Sequence, residues 1–287
     1  MAVSAVAPAK SKKELAKQLG VSRQSLYYKP KLPEKDLKLK CEIEKVMVKH
    51  KRYGHKRIAD EIGINKKRIL RVMKLFGLKP KCSRKPPFKP EDQRQAPTAI
   101  TNLLLETIID APNIAYASDF TYLPYFGKFI YLATVEDLFT REIIGWEVSI
   151  RHDVDLIVRA LQNVLHHRPA PLLAHSDQGS EYRLKAYQAL LADCGIKPSM
   201  SQKASPWQNG KQESFYSEFK LELGHPEAYP TLGELIEAIA RQIHYYNHER
   251  IHTALRRQPA VFAAKFTKIE KIQKNLIFQD AADVPSV

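Results

Sequence analysis

The sequence predicts an α/β protein in two parts. An all-α, strongly basic front third precedes a core built on a mixed five-stranded sheet with helices on its faces. Three observations predict this. Charge is uneven: residues 1–100 hold 27 Lys and Arg against 9 Asp and Glu, whereas residues 101–287 hold 19 against 22. From about Ile108 the composition turns to β-branched and aromatic runs with short connections, which read as strands. Within that second part Asp119, Asp177 and Glu213 stand 58 and then 36 positions apart, two at strand ends and one in a helix-like run.

Composition excludes several classes. The 287 residues have a formal net charge of +15 and no run of 18 or more apolar residues, so no membrane span is expected. The start, Met1 to Lys10, lacks the basic opening and long apolar stretch of a signal peptide. Cys41, Cys82 and Cys194 are scattered, with no CxxC pair. That pattern suits reduced thiols in a cytoplasmic protein, and neither a zinc site nor a disulfide framework. A basic arm joined to a near-neutral core is built to meet a polyanion at one end.

In the front third, Ser11 and Glu14 form a capping box, and Leu15, Ala16 and Leu19 make a helical stripe that ends at Gly20. Ser22 caps a second short helix. Helix, tight turn and helix over residues 1–33 give a helix-turn-helix reading, with Ser22, Arg23 and Gln24 at the end that meets base edges. A helical hairpin with exposed polar residues is the plainer alternative. Residues 34–78 form a second such domain. A helix from Asp36 to about His50 has Leu37, Leu39, Ile43, Val46 and Met47 on its apolar side. After Lys56 and Arg57 come a short helix, a turn at Gly63, and a helix capped by Asn65 that opens with Lys66, Lys67 and Arg68. Cations there, with a helix N-terminus, favour phosphate. Residues 79–107 are a Pro-rich basic linker.

The core, residues 108–226, reads as three hairpin strands (114–123, 129–135, 143–150), a helix capped by Asp153, a strand at Leu172–Ser176, a helix near 186–191, a strand at Lys197–Ser201, a loop with Trp207 and Asn209, and a helix holding Lys211 and Glu213. Phe215, Phe219 and Leu223 form that helix's buried side. This order matches the ribonuclease H-like fold, in which the first and fourth strands are central neighbours. Asp119 and Asp177 would then stand side by side, with Glu213 brought across by its helix. Three carboxylates suit hard cations such as Mg²⁺, and a pair of ions can clamp both oxygens of a phosphate displacement. Asp137, Glu136, Glu181 and Glu218 are competing acids. His175 shares a strand face with Asp177 and either touches DNA or packs. Trp207 either stacks on a base or anchors its loop. The cluster from Tyr245 to His252 looks like a metal site, but reads as the docking of a C-terminal helical segment (227–287), since Mg²⁺ prefers carboxylates to histidines.

The ordered set of motifs resembles the bacterial insertion-sequence transposases of the Asp–Asp–35-residue–Glu type, relatives of retroviral integrases. The pieces are Arg52-Tyr53-Gly54-His55-Lys56-Arg57-Ile58, Ser118-Asp119-Phe120-Thr121-Tyr122, Glu136 to Trp146, His175 to Tyr182, Asn209 to Phe215, and Tyr245 to Leu255. The resemblance implies DNA cleavage and strand transfer at element ends. It also implies two Mg²⁺ ions (Mn²⁺ able to substitute) on Asp119, Asp177 and Glu213, and an assembly of at least two copies on double-stranded DNA. In this group the catalytic chain often works as the downstream half of a frameshift fusion, so an upstream-frame helix-turn-helix partner is implied as well. Gln208-Asn209-Gly210 departs from the Asp-Asn-Ala common in the group, which bears on loop contacts. Two other readings stay open: a DNA-binding regulator with an inactive nuclease-like domain, and a structure-specific nuclease of the same fold.

Overall fold

A computed structural model describes residues 11–24, 32–81, 100–201 and 210–266. The chain divides into two compact units, one with the first four helices and one with the sheet.

In the first unit, helix α1 (Lys12–Gln18) opens with the expected capping box: Ser11 Oγ accepts from the Glu14 amide, and the Glu14 carboxylate accepts from the Ser11 amide. The second helix expected after Ser22 lies largely outside the described residues; only Arg23 and Gln24 are seen, in a short 3-10 turn. Helix α2 (Leu32–Lys49) begins earlier than the expected Asp36. Helix α3 (His55–Ile62) and helix α4 (Lys66–Leu75) form the expected pair, with Asn65 Oδ1 accepting from the Lys67 amide at 2.9 Å. Leu39, Ile43, Ile58, Ile69 and Val72 are buried in this unit. Leu37, expected on the apolar side of α2, is exposed. Its neighbour Asp36 is buried instead, and the Arg71 guanidinium grips it through two hydrogen bonds of 2.8 and 2.6 Å. That grip holds the Asp36 carboxyl below the usual carboxylate range.

The second unit is a five-stranded sheet of order β3-β2-β1-β4-β5. The strands are β1 (Ala115–Tyr125), β2 (Lys128–Asp137), β3 (Ile143–Ser149), β4 (Leu173–Ser176) and β5 (Lys197–Met200). The first three pair antiparallel, and β1–β4 and β4–β5 pair parallel. The short hairpin connections force the first arrangement, and the helical crossovers permit the second. Helix α5 (Val154–Leu165), capped by Asp153, and helix α6 (Lys185–Asp193) cover one face. Their Leu156, Ile157, Ala160, Leu161 and Leu191 pack with Tyr116, Ala133, Val135 and Ala174. Helix α7 (Gly210–Leu223) and helix α8 (Leu232–His248) cover the other. There Phe215, Tyr216, Phe219, Leu235, Ile239 and Ile243 pack with Leu123, Ile130 and Leu132. The strand order is the expected ribonuclease H-like one.

The seating of α5 depends on a missing side chain. A Cβ on Gly145 of β3 would stand 2.2 Å from Val164 Cγ2 and 2.7 Å from the Ala160 carbonyl oxygen. Backbone cannot yield as a flexible side chain can, so Gly145→Ala should push α5 off the sheet. Overpacking of this kind costs on the order of 1–3 kcal/mol. Urea unfolding of the variant should show a lower midpoint, and an unchanged midpoint would mean α5 has room that the packing denies.

Candidate functional site

Parallel pairing fixes two of the predicted acids. Ala117 of β1 is level with His175 of β4, and two residues further along each chain stand Asp119 and Asp177. Side chains alternate between faces, so Ala115, Ala117 and Asp119 share one face with Leu173 and His175, and Asp177 follows directly on the end of β4 at Ser176. Leu123 has the same parity and packs with α7 and α8, which identifies the face. Both acids are half-buried, at the level where β4 ends.

Helix α7 crosses this level. The Tyr216 hydroxyl donates to the Asp119 carbonyl oxygen at 2.7 Å and shares a 2.8 Å hydrogen bond with the Thr134 hydroxyl. Residue 213 lies three positions before Tyr216, one turn nearer the helix start, and positions three apart share a helix face. The side chains of Glu213 and Lys211, and the whole of Trp207 and Asn209, lie outside the described residues. Among the described residues, no three His, Cys, Asp or Glu side chains gather in a metal-like cluster.

The surroundings hold the acids still and keep the neighbouring phenols neutral. Asp119 Oδ1 accepts from the Phe120 amide at 2.8 Å, and Asp177 Oδ1 from the Gly179 amide at 2.9 Å. Tyr182 is fully buried. Burial pushes its phenol well up, and the Asp119 and Asp177 carboxylates push it further. One buried ring thus feels both acids. Tyr216 is raised in the same way, by burial and then by Asp119. Lys220, seven residues after Glu213, was not singled out by sequence reasoning. Burial lowers its ammonium and the Asp119 carboxylate raises it, and its Nζ lies 4.8 Å from the centre of the Tyr122 ring. Its seven-residue spacing from Glu213 was the available signal, since such positions share a helix face.

The competing acids have other work. Asp137 is fully buried and accepts from the amides of Asn113, Phe139 and Thr140 at 2.8–2.9 Å, so it organises the β2–β3 turn. Its carbonyl oxygen accepts from the Arg141 amide at 2.8 Å, while the Arg141 guanidinium approaches Glu136 at 3.6 Å. Glu218 pairs with Arg250. Glu181 is buried, accepts from Ser180 Oγ at 3.0 Å and meets His152 Nε2 at 3.2 Å.

Of the predicted DNA contacts, Ser22, Arg23, Gln24, Lys56, Lys66 and Lys67 are exposed, and Arg57 and Arg68 are half-buried. Arg57 lies over the Tyr53 ring at 5.7 Å. His175 needs a correction. It is 1% exposed, with Nδ1 3.0 Å from Ser199 Oγ, so it packs between β4 and β5 and presents no surface to DNA. The Tyr245–His252 cluster docks the C-terminal segment, as expected. The Asn247 side chain accepts from the Ile143 amide at 2.9 Å and donates to the Ile143 carbonyl at 2.8 Å.

The loop after Asp177 is closely fitted. A Cβ on Gly179 would lie 3.0 Å from Asp177 Oδ1, 3.2 Å from Glu181 Oε2 and 3.3 Å from Tyr182 Cδ2. Gly179→Ala should therefore turn the Asp177 carboxylate away from Asp119. Misplacement of about 1 Å can cost on the order of 10²-fold in rate. A crystal structure and a thermal melt of the variant check this together: the expected outcome is a displaced Asp177 carboxylate with little change in melting temperature, and an unmoved carboxylate would refute it.

The family profile described as "Integrase core domain" matches residues 110–206, and a second profile of the same description matches residues 194–259. The chain is 38% identical over 224 residues to the transposase for insertion sequence element IS904 of Lactococcus lactis, covering 74% of this chain and 88% of that one. It is 30% identical over 257 residues to the putative transposase InsK for insertion sequence element IS150 of Escherichia coli, covering 85% and 89%. Among solved structures, the HTLV-2 integrase catalytic core domain in complex with magnesium matches with a TM-score of 0.46 at 18% identity, over 54% of this chain and 98% of that one. With Asp119 on β1, Asp177 at the end of its parallel neighbour β4, and relatives of this identity matched over most of their length, the chain belongs to the insertion-sequence transposases that carry an integrase core domain.

Proposed function

We propose that this protein is a DNA transposase that binds the terminal inverted repeats of an insertion sequence, cuts at the 3′ ends and joins them to target DNA. One observation carries the reading: Asp119 lies on β1, on the face that α7 crosses through Tyr216, and Asp177 follows directly on the end of β4, the parallel neighbour of β1. The donor set fits a divalent cofactor. The acids offer hard oxygens, and the histidine on their face, His175, is already engaged with Ser199. Asp119, Asp177 and Glu213 would hold two Mg²⁺ ions, with Mn²⁺ able to substitute. Bound there, such ions supply Lewis acidity to the attacking and leaving oxygens of a phosphate.

The chain's own residues do the rest. Backbone amides fix one oxygen of each aspartate. Tyr182 and Tyr216, kept neutral, add no competing charge. Lys220 places a cation beside Asp119, where a DNA phosphate would arrive. The exposed basic ends of the first unit supply affinity for double-stranded DNA. Two element ends must meet, so the active form holds at least two copies, with an upstream-frame protein as a further partner.

Asp119→Asn, Asp177→Asn and Glu213→Gln should each abolish Mg²⁺-dependent cleavage and joining of terminal-repeat DNA while leaving DNA binding intact. Full joining by any one of them would overturn the assignment. Strand-transfer products separate a transposase from a nuclease, which would yield cut ends alone. Lys220→Met should weaken DNA binding regardless of sequence and reduce the slope of log affinity against log salt by roughly one. A salt titration with an unchanged slope would remove Lys220 from the DNA contact.

A further inference from the structure

Both aspartates of the site are held by backbone amides, Asp119 by that of Phe120 and Asp177 by that of Gly179. The two residues that carry those amides are joined by a second pair of side chains. His152, just before α5, sets its ring 4.6 Å from the Phe120 ring and stacks on Tyr131 at 5.0 Å. Its Nε2 lies 3.2 Å from Glu181 Oε1, which also accepts from Ser180 Oγ at 3.0 Å. The other carboxylate oxygen of Glu181 stands against Gly179, where a Cβ would lie 3.2 Å from it. A chain of contacts thus runs from the residue after Asp119 to the loop after Asp177.

Phe120 and Tyr131 pack with the core on the α5 side of the sheet. The link therefore reaches the acids through the backbone of Phe120 and Gly179. Folding alone gives little reason for it. Glu181 is 8% exposed, and a carboxylate that far from water is costly unless it is paired. The loop is tied to β1 by another contact already, since the buried Tyr182 hydroxyl lies 3.3 Å from Ser118 Oγ. We propose that His152 and Glu181 are positioning residues that fix Asp119 and Asp177 relative to one another for a divalent cation. This rests on the transposase reading and adds to it two residues that set how tightly the ion is held.

The test titrates the full chain with Mn²⁺ in the absence of DNA, follows the free ion by electron paramagnetic resonance, and pairs this with a thermal melt. His152→Phe keeps a ring against Phe120 and Tyr131 and removes the bond to Glu181. Glu181→Ala removes the same bond from the other side. Each should weaken Mn²⁺ binding about tenfold, the scale found when a group supporting a metal ligand is lost. The double variant should lose no more than either single one, because both break one contact. Glu181→Gln, which still offers His152 an acceptor, should bind Mn²⁺ like wild type. The His152 side chain is 38% exposed, so His152→Phe should melt near wild type and keeps the test alive if Glu181→Ala does not fold. A lost imidazole removes no negative charge, so weaker binding in that variant reports position. Wild-type affinity in His152→Phe, or losses that add in the double variant, would overturn the proposal. So would a Glu181→Gln variant as weak as Glu181→Ala, which would make Glu181 itself a ligand. If wild type bound no Mn²⁺, or Asp177→Asn bound it equally well, the metal site of the transposase reading would fail and the positioning pair with it.

Discussion

The parallel pairing of β1 with β4 is the constraint from which the site follows. Parallel strands share a direction, so residues two beyond a matched pair are still matched and still on the same face. Ala117 opposite His175 therefore brings the chain to Asp119 on β1 and to Asp177, one residue past the end of β4, side by side. Two carboxylates so near one another repel, and bringing them together has a cost that folding alone would not select. The hydrogen bonds from the Phe120 and Gly179 amides limit that cost, and a bound cation would reverse it.

The third acid depends on how α7 is held. That helix is not anchored by apolar residues alone. Tyr216 ties it to β1 at Asp119, and Glu218 and Glu222 pair with Arg250, which is 1% exposed. A buried guanidinium is tolerable only with partners, so the chain after α8 must stay where α7 can reach it. Asn247 fixes the same stretch to the backbone of Ile143 on β3. Residues far from Asp119 and Asp177 thereby set the line of α7.

Much of this was legible in the sequence. Period-two runs and short connections gave the antiparallel strands, and the alternation of helix and strand gave the parallel ones, so the central pairing could be expected. Capping side chains marked α1, α4 and α5 because an orphan amide needs an acceptor wherever it lies. Tertiary pairing was less readable. Leu37 counts as apolar in any helical stripe, yet Asp36 takes the interior because Arg71, thirty-five residues on, meets it. His175 has the parity of Asp177, but parity does not tell whether a strand face is open or covered by packing against Ser199. Lys220 was passed over because the helix pattern drew attention to its buried aromatic neighbours. Tyr216, buried and bonded to Asp119, was missed because a tyrosine's hydroxyl partner is set by the fold and leaves no mark in spacing.

The unequal lengths of β1 and β4 explain why the acids are reachable at all. β4 has four residues and stops at Ser176, whereas β1 runs to Tyr125. Beyond Asp119, β1 keeps β2 on one side and, among the described residues, pairs with no strand on the other. An open edge of that kind invites unwanted pairing unless it is blunted. Pro124 withholds an amide there, and the 3-10 turn at Pro226–Ala228 leads to Tyr229, whose carbonyl accepts from the Tyr125 hydroxyl at 3.1 Å. Along the stretch between Asp119 and Tyr122, Lys220 sets its Nζ 4.8 Å from the centre of the Tyr122 ring. A longer β4 would have completed the sheet and covered the edge beside the acids.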